Sequence, residues 1–300
     1  MSFKVVGIGE VLWDLLPSGP QLGGAPANFA YHARQLGAKA QVITRVGNDE
    51  HGRRVIRRFE EMGIDGGTVQ ADAHLPTGTA GVVLGRDGTP QFTIIDGVAW
   101  DFLALTEEAL KAARNANAVC FGTLAQRTRA ASLVVRQLVE ATPTTALRVF
   151  DVNLREGHYN WEVIEQSLAT ANVLKMNDQE LTVLSPRLEL SGGVNQMMSQ
   201  LAERFELDLV AITCAERGSL LYQDGNWSEL PGRKMAVTDT IGAGDAFTAA
   251  LVLGLLNQFS LEDIHRIAAD VASFVCSQQG ATPVLPPHLR NAFVPNCTSV

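Results

Sequence analysis

Apolar positions along the chain follow two alternating rhythms. Short continuous apolar runs at Phe3 to Ile8, Ala40 to Val46, Ala118 to Phe121, Leu147 to Asp151, Ala171 to Met176 and Leu209 to Thr213 read as buried strands. Helical patterns lie between and after them, in Ala27 to Leu36, His51 to Met62, Thr128 to Glu140, Trp161 to Thr170, Val194 to Phe205, Gly244 to Asn257 and Leu261 to Gln279. Gly37 and Gly63 stand where the first two helices need a C-cap. Strands separated by helices of this length call for parallel crossovers, so the pattern predicts an α/β fold with a mostly parallel sheet covered on both faces. Ligands bind such sheets at the carboxyl ends of the strands.

Two stretches break the rhythm. Val11 to Gln21 is one; the other is Thr79 to Ile95, where Gly81 to Leu84 and Gln91 to Ile95 flank the turn sequence Arg86-Asp-Gly-Thr89. The second is a hairpin signal inside an α/β chain, and the two together predict a small β lid from segments near 11–22 and 79–100. A further hairpin is expected to join Ser219 to Gln223 with Trp227 to Leu230. No internal repeat or linker divides the chain, so 1–300 is expected to be one domain.

Composition narrows the function. The chain has 46% hydrophobic and 19% charged residues, an ordinary globular balance, and a net charge of -8. That charge argues against a protein whose task is to grip nucleic-acid phosphates. The amino terminus lacks the regions of a signal peptide, and no window approaches the roughly 20 apolar residues that span a bilayer. Cys120, Cys214, Cys276 and Cys297 form no metal-ligand spacing and read as reduced thiols. A cytoplasmic protein is expected, in which the sequons at Asn226 and Asn296 carry no glycan. The six histidines form no ligand cluster.

The strongest chemical signal is Asp239-Thr-Ile-Gly-Ala-Gly-Asp245, directly before an apolar helical run. Glycines at 242 and 244 let backbone amides converge on an anion, and the helix start adds its positive dipole end. Asp245, in the first helical turn beside those amides, could accept the proton of an attacking hydroxyl. A glycine loop before an acidic helix start also stabilises helices without any chemistry. No GxxxxGK[ST] loop occurs, which excludes a Walker nucleotide site.

These residues, with Gly23-Gly-Ala-Pro-Ala-Asn28, Leu36-Gly37 and Gly47-Asn-Asp-x-x-Gly52, resemble in order the motifs of the ribokinase-like or PfkB carbohydrate kinases, and the GGAPAN pattern looks like bacterial fructokinases. The resemblance implies the family's three-layer fold and an ATP-dependent sugar kinase with Asp245 as base and the amides of Gly242, Ala243 and Gly244 as anion hole. It implies that Asn177-x-x-Glu180 organises Mg2+ through water, although alone the pair would be an Asn and a Glu one helical turn apart. Asp151-Val-Asn-Leu-Arg155 resembles a segment in which Arg155 neutralises the phosphoryl group or holds the acceptor and Asn153 contacts substrate. Thr213 to Gly218, with Gly244, resembles the nucleotide site. Asp14, Gly24 and Asn28 are implied to meet the sugar, with Gly24 permitting close approach and Asn28 offering a donor and an acceptor.

Departures from the family pattern bear on specificity. Gly97 stands near where many fructokinases carry a lid arginine shortly before an aspartate matching Asp101, and Val284 follows Gly280-Ala-Thr-Pro283 where the monovalent-cation loop usually has serine, which leaves activation by K+ open. Fructose is the first substrate expected; 2-keto-3-deoxygluconate, ribose and ribosides are alternatives, as is a sugar- or nucleotide-binding regulator without transfer. Trp100 and Phe92 read either as lid aromatics or as packing anchors, and the lid could pair with a second subunit.

Overall fold

The computed structural model describes residues 2–16, 19–84, 90–233 and 236–293. Its main sheet is built from β1 (Lys4–Ile8), β4 (Lys39–Gly47), β5 (Val69–Asp72), β8 (Ala118–Phe121), β9 (Leu147–Asp151), β10 (Val173–Asn177), β11 (Leu209–Thr213), β12 (Gly218–Gln223) and β13 (Asn226–Pro231). They lie in the order β13-β12-β11-β10-β9-β8-β1-β4-β5. All pairings from β11 to β5 are parallel, while β12 and β13 extend the edge as the expected antiparallel hairpin.

Both faces of the sheet are dry, which explains the continuous apolar strands. Alternate residues enter two cores: Ala118, Cys120, Val149 and Val173 face one, and Val119, Phe121, Phe150 and Leu174 the other. The first core is closed by α1 (Ala25–Gln35), α2 (Glu50–Met62), α8 (Ala243–Leu256), α9 (Leu261–Cys276) and the short α10 (Pro287–Arg290). The second is closed by α3 (Glu107–Arg114), α4 (Arg129–Glu140), α5 (Trp161–Thr170), α6 (Asp178–Arg187) and α7 (Val194–Phe205). Side-chain caps fix several helix starts: Asp49, Thr106, Thr128, Asn160 and Ser260 each accept a backbone N–H. Among the described residues no helix is long and apolar enough to cross a membrane.

The expected lid is a second sheet, ordered β3-β2-β6-β7, from β2 (Leu12–Leu16), β3 (Gly19–Gly23), β6 (Gly78–Leu84) and β7 (Pro90–Ile94). Its turn sequence Arg86 to Thr89 and the side chain of Phe92 lie outside the described residues, as do Asn296 and Cys297. The carboxyl end of the 79–100 segment is not lid. Ala99–Phe102 forms a 3-10 turn that buries Trp100 to 1% exposure among Val98, Leu124 and Ile94, with the Arg127 guanidinium 4.1 Å from its ring centroid. Trp100 is thus a packing anchor. Arg127 also grips Asp101 through two N–H to carboxylate bonds of 2.6 and 2.7 Å, so Asp101 fastens the base of the lid.

The helices also depart in places from the sequence pattern. α9 stops at Cys276 rather than Gln279, because the chain turns back there to lay Gly280 and Ala281 against the start of α8. Helices α3 and α6 were not anticipated, since α3 has only eight residues and α6 has a short apolar face and Pro186 in its last turn.

Candidate active site

The carboxyl edge of the main sheet gathers the chemistry. Glu10 follows β1, Asp151 ends β9, Asn177 ends β10, and Thr213 ends β11 in register with Asn177. Above this edge begins α8. Gly242 caps it with a φ of 78°, and a Cβ there would stand 2.5 Å from the Ala281 carbonyl oxygen, so only glycine fits the turn. Asp239 holds the loop, taking the Ile241 N–H at 3.0 Å and the Gly280 N–H at 3.1 Å. The Ala243 N–H reaches back to the Thr240 carbonyl at 3.3 Å, whereas no backbone carbonyl takes the Gly242 or Gly244 N–H among the described residues, which leaves those two able to receive an anion.

Asp245 lies in that first turn, half-buried, with its Oδ2 accepting 2.8 Å from Asn28 Nδ2 on α1. Burial, together with the charge of Asp151, raises its pKa to about 6, against the opposing pull of Asn28, Lys175 and Arg155. Asp245 is therefore ionised at neutral pH and still a competent proton acceptor. Asn28, expected to face the sugar, spends one donor on this carboxylate.

Beneath the loop is a buried pair that sequence reasoning did not single out. Lys175 Nζ bonds Asp151 Oδ1 at 3.0 Å, and the Thr248 hydroxyl of α8 lies 3.0 Å from both Asp151 Oδ2 and the Gly244 carbonyl. A Cβ on Gly244 would come within 2.9 Å of Lys175 Nζ, so the ammonium sits directly against the helix start. Burial pulls the Lys175 pKa down, but the charges of Asp151, Glu180 and Asp245 outweigh it and the net shift is upward. The signal was a lone lysine within the apolar strand Val173-Leu-Lys-Met176, which must have a partner to stay charged.

Asn177 and Glu180 form a capping box. Asn177 Oδ1 accepts from the Glu180 N–H at 2.8 Å, and Glu180 Oε2 accepts from the Asn177 N–H at 2.7 Å. Glu180 Oε1 also accepts from the Leu154 N–H at 2.8 Å, tying this helix start to the segment that carries Arg155. Burial raises the Glu180 pKa against the lowering charge of Lys175. The donors are all hard oxygens, and among the described residues no cluster of three or more His, Cys, Asp or Glu could cage a metal. That donor set fits Mg2+ held through its waters and does not fit direct coordination.

Arg155 is exposed, its charge felt at Glu10, Asp14 and Asp245, and Asn153 beside it adopts a left-handed φ of 42°. Asp14, half-buried on β2, has its pKa raised by burial to about 6 despite Arg155. Gly24 does allow a close approach, but of the protein's own Glu10 carbonyl to the start of α1. Gly218 opens β12 with its carbonyl accepting from the Cys214 N–H at 2.7 Å. Thr213 and Gly218 thus bracket a tight loop beside Asn177, away from Asp14. Glu10 was passed over in the sequence. It is 3% exposed, burial raises its pKa to about 7, and its Oε2 has no hydrogen-bond partner.

The arrangement joins a poised carboxylate, an anion-receiving helix start over a buried ammonium, and an arginine facing three acids. Comparison with known proteins agrees with this chemistry. Residues 20–287 match the model of the pfkB family carbohydrate kinases. Fructokinase-1 of Oryza sativa is 30% identical over 313 residues, covering 95% of each chain, and a fructokinase of Klebsiella pneumoniae is 26% identical over 304 residues, covering 95% of this chain and 97% of its own. The crystal structure of a Pyrococcus horikoshii sugar kinase in complex with ATP superposes with a TM-score of 0.80 at 28% identity, covering 93% of this chain and 94% of that one. The chain belongs to the pfkB family of carbohydrate kinases.

Proposed function

We propose that this protein transfers the γ-phosphate of ATP to a primary hydroxyl of a small ketose, fructose first, with Asp245 as general base. The observation that carries this reading is the placement of Asp245, fixed by Asn28 at the start of α8 with Lys175 beneath it. In this reading the sugar lies between the lid and α1, with Asp14 and Asn153 accepting and donating to its hydroxyls. Asp245 takes the proton of the attacking hydroxyl. The amides of Gly242, Ala243 and Gly244, with Lys175 close behind, receive the negative charge that develops on the transferring group. Arg155, whose charge is felt at Asp245, offsets the charge of the same group.

Thr213 and Gly218 border the nucleotide, on the side of Asn177 and Glu180. Asn177 and Glu180 would hold Mg2+ through its waters, and the ion would offset the charge of the nucleotide phosphates. The lid excludes water, which would otherwise compete as acceptor. Support for fructose comes from the relatives named fructokinase. The test is ADP release with fructose, 2-keto-3-deoxygluconate, ribose and a riboside. Highest kcat/KM on fructose is expected; preference for another sugar would move the assignment, and binding of sugar and ATP without ADP from any of them would replace the kinase by a regulator.

A further inference from the structure

One cavity does not have Asp245 among its walls. It measures about 660 Å³ and lies between the lid, α2 and the turn after α9, lined among others by Trp13, Gln21, Arg54, Arg57, Arg58 and Thr282. Successive residues of a strand point to opposite faces. Asp14 feels the charge of Arg155, whereas neighbouring Trp13 turns to α2, where its Nε1 donates to the His51 carbonyl at 3.1 Å. The cavity therefore opens on the side of β2 away from Asp14.

Its chemistry is cationic. Arg54, Arg57, Arg58 and Glu61 fall at i, i+3, i+4 and i+7, one face of α2, while Val55 and Phe59 bury the opposite face. Three guanidinium groups and one carboxylate make this wall net positive in a chain of net charge -8. Arg57 and Arg58 pair with Glu50 and Glu61 at 2.8 Å each, but these pairs are about half exposed and so readily exchanged for another anion. Arg54 has no carboxylate partner among the described residues and is held by stacking 4.4 Å from the Trp13 ring centroid. A planar guanidinium held in this way is prepared for a two-pronged contact with phosphate. The volume is that of a small-molecule site and well above that of a bare ion, and Gln21 and Thr282 add groups suited to hydroxyls.

We propose that this cavity is a second, non-catalytic site for a sugar phosphate, the phosphate on Arg54 and Arg57 and the hydroxyls on Gln21 and Thr282. Its walls belong to both lid and body, and Ala281, which lines it, also packs on Gly242. An occupant thereby bears on lid position and on the anion loop, as a regulator formed from phosphorylated sugar would.

The test is calorimetric titration of the intact protein with fructose 6-phosphate while fructose and a non-hydrolysable ATP analogue fill the catalytic cleft. One further site per chain is expected, weakened tenfold or more by the double change Arg54→Gln, Arg57→Gln and unchanged in Asp245→Asn. kcat without added sugar phosphate should stay at the wild-type value in the arginine variant. Inorganic phosphate should bind more weakly than fructose 6-phosphate. Hydrogen exchange on the unaltered chain gives a readout that needs no variant, with protection expected in 50–62 and 279–282. Loss of all binding once the cleft is filled, full affinity in the arginine variant, equal affinity for inorganic phosphate, or no protection in those segments would each overturn the proposal.

Discussion

Replacing Asn28 by Ala separates a group that holds the base from one that holds the sugar. Its Nδ2 is 2.8 Å from Asp245 Oδ2, and this contact favours the ionised carboxylate, whose pKa, even with the contact in place, stands raised to about 6 by burial and by Asp151. A hydrogen bond to a charged group contributes about 1.5–3 kcal/mol, and one pKa unit corresponds to about 1.4 kcal/mol. Losing it therefore lifts the Asp245 pKa by roughly 1 to 2 units, to between about 7 and 8. The base works only when ionised, so the acid limb of kcat/KM, which reports the free enzyme, should move upward by the same amount. With a limb near 7.5 the rate falls about eightfold at pH 6.5 and less than twofold at pH 9. The assay is the pH profile of kcat/KM for the best sugar between pH 5 and 9.5. Asn28→Asp should move the limb further still, because a second carboxylate would face the first. An unmoved limb in Asn28→Ala, with KM for sugar raised at every pH, would refute this reasoning and return Asn28 to a sugar contact.

Asp245→Asn should lower kcat by about a hundred- to ten-thousand-fold with little change in nucleotide affinity or thermal stability, measured by single-turnover rates, nucleotide titration and melting; near-wild-type turnover would remove Asp245 as base. Lys175→Met leaves Asp151 buried without its cation, so urea unfolding should show a loss of about 3 to 5 kcal/mol, and in whatever folds the acid limb of kcat/KM should rise because Lys175 lowers the Asp245 pKa. Glu10→Gln should stabilise the fold at pH 8 and have little effect below pH 4. The folded pKa of Glu10, about 7, exceeds its ordinary 4.5, so the folded state binds the extra proton between those values and loses stability as pH rises through them. The gain at pH 8 is on the order of 3 kcal/mol, read as a shift in urea midpoint between pH 4 and pH 8; an equal shift at both would show that ionisation of Glu10 is not what costs stability.

What the sequence made legible was local. The buried strands, most of the long helices and the loop Asp239 to Asp245 are each contiguous, and burial on both sheet faces or the need of a helix start for small residues writes a pattern within ten or so positions. β3 was legible only as part of the irregular stretch given to the lid, because Gly19-Pro-Gln-Leu-Gly23 has neither alternation nor β-branched residues; it is a strand because β2 pairs with it. α6 escaped because its clearest mark, Asn177 with Glu180, resembles a metal-organising motif and is also a capping box, two roles that the same atoms can fill.

The site itself is assembled across distances that no window spans. Asn28 and Asp245 are 217 positions apart, and Thr248 and Asp151 97 positions apart. α1 meets α8 because both lie on one face of the sheet, and β9 and β10 bring Asp151 and Lys175 beneath the start of α8. The contacts that set the charge of Asp245 are therefore consequences of topology rather than of motif. A lone lysine in an apolar strand and an acid directly after the first strand do carry a warning in the sequence, since neither can be buried at ordinary cost without a partner or a shifted proton. Lys175 found its partner in Asp151, whereas Glu10 Oε2 did not, and its carboxyl responds by holding its proton up to about pH 7. Arg155 and Asp245 act on that carboxyl in opposite senses, the first lowering and the second raising its pKa, so the charge of Glu10 is tied to that of the cleft.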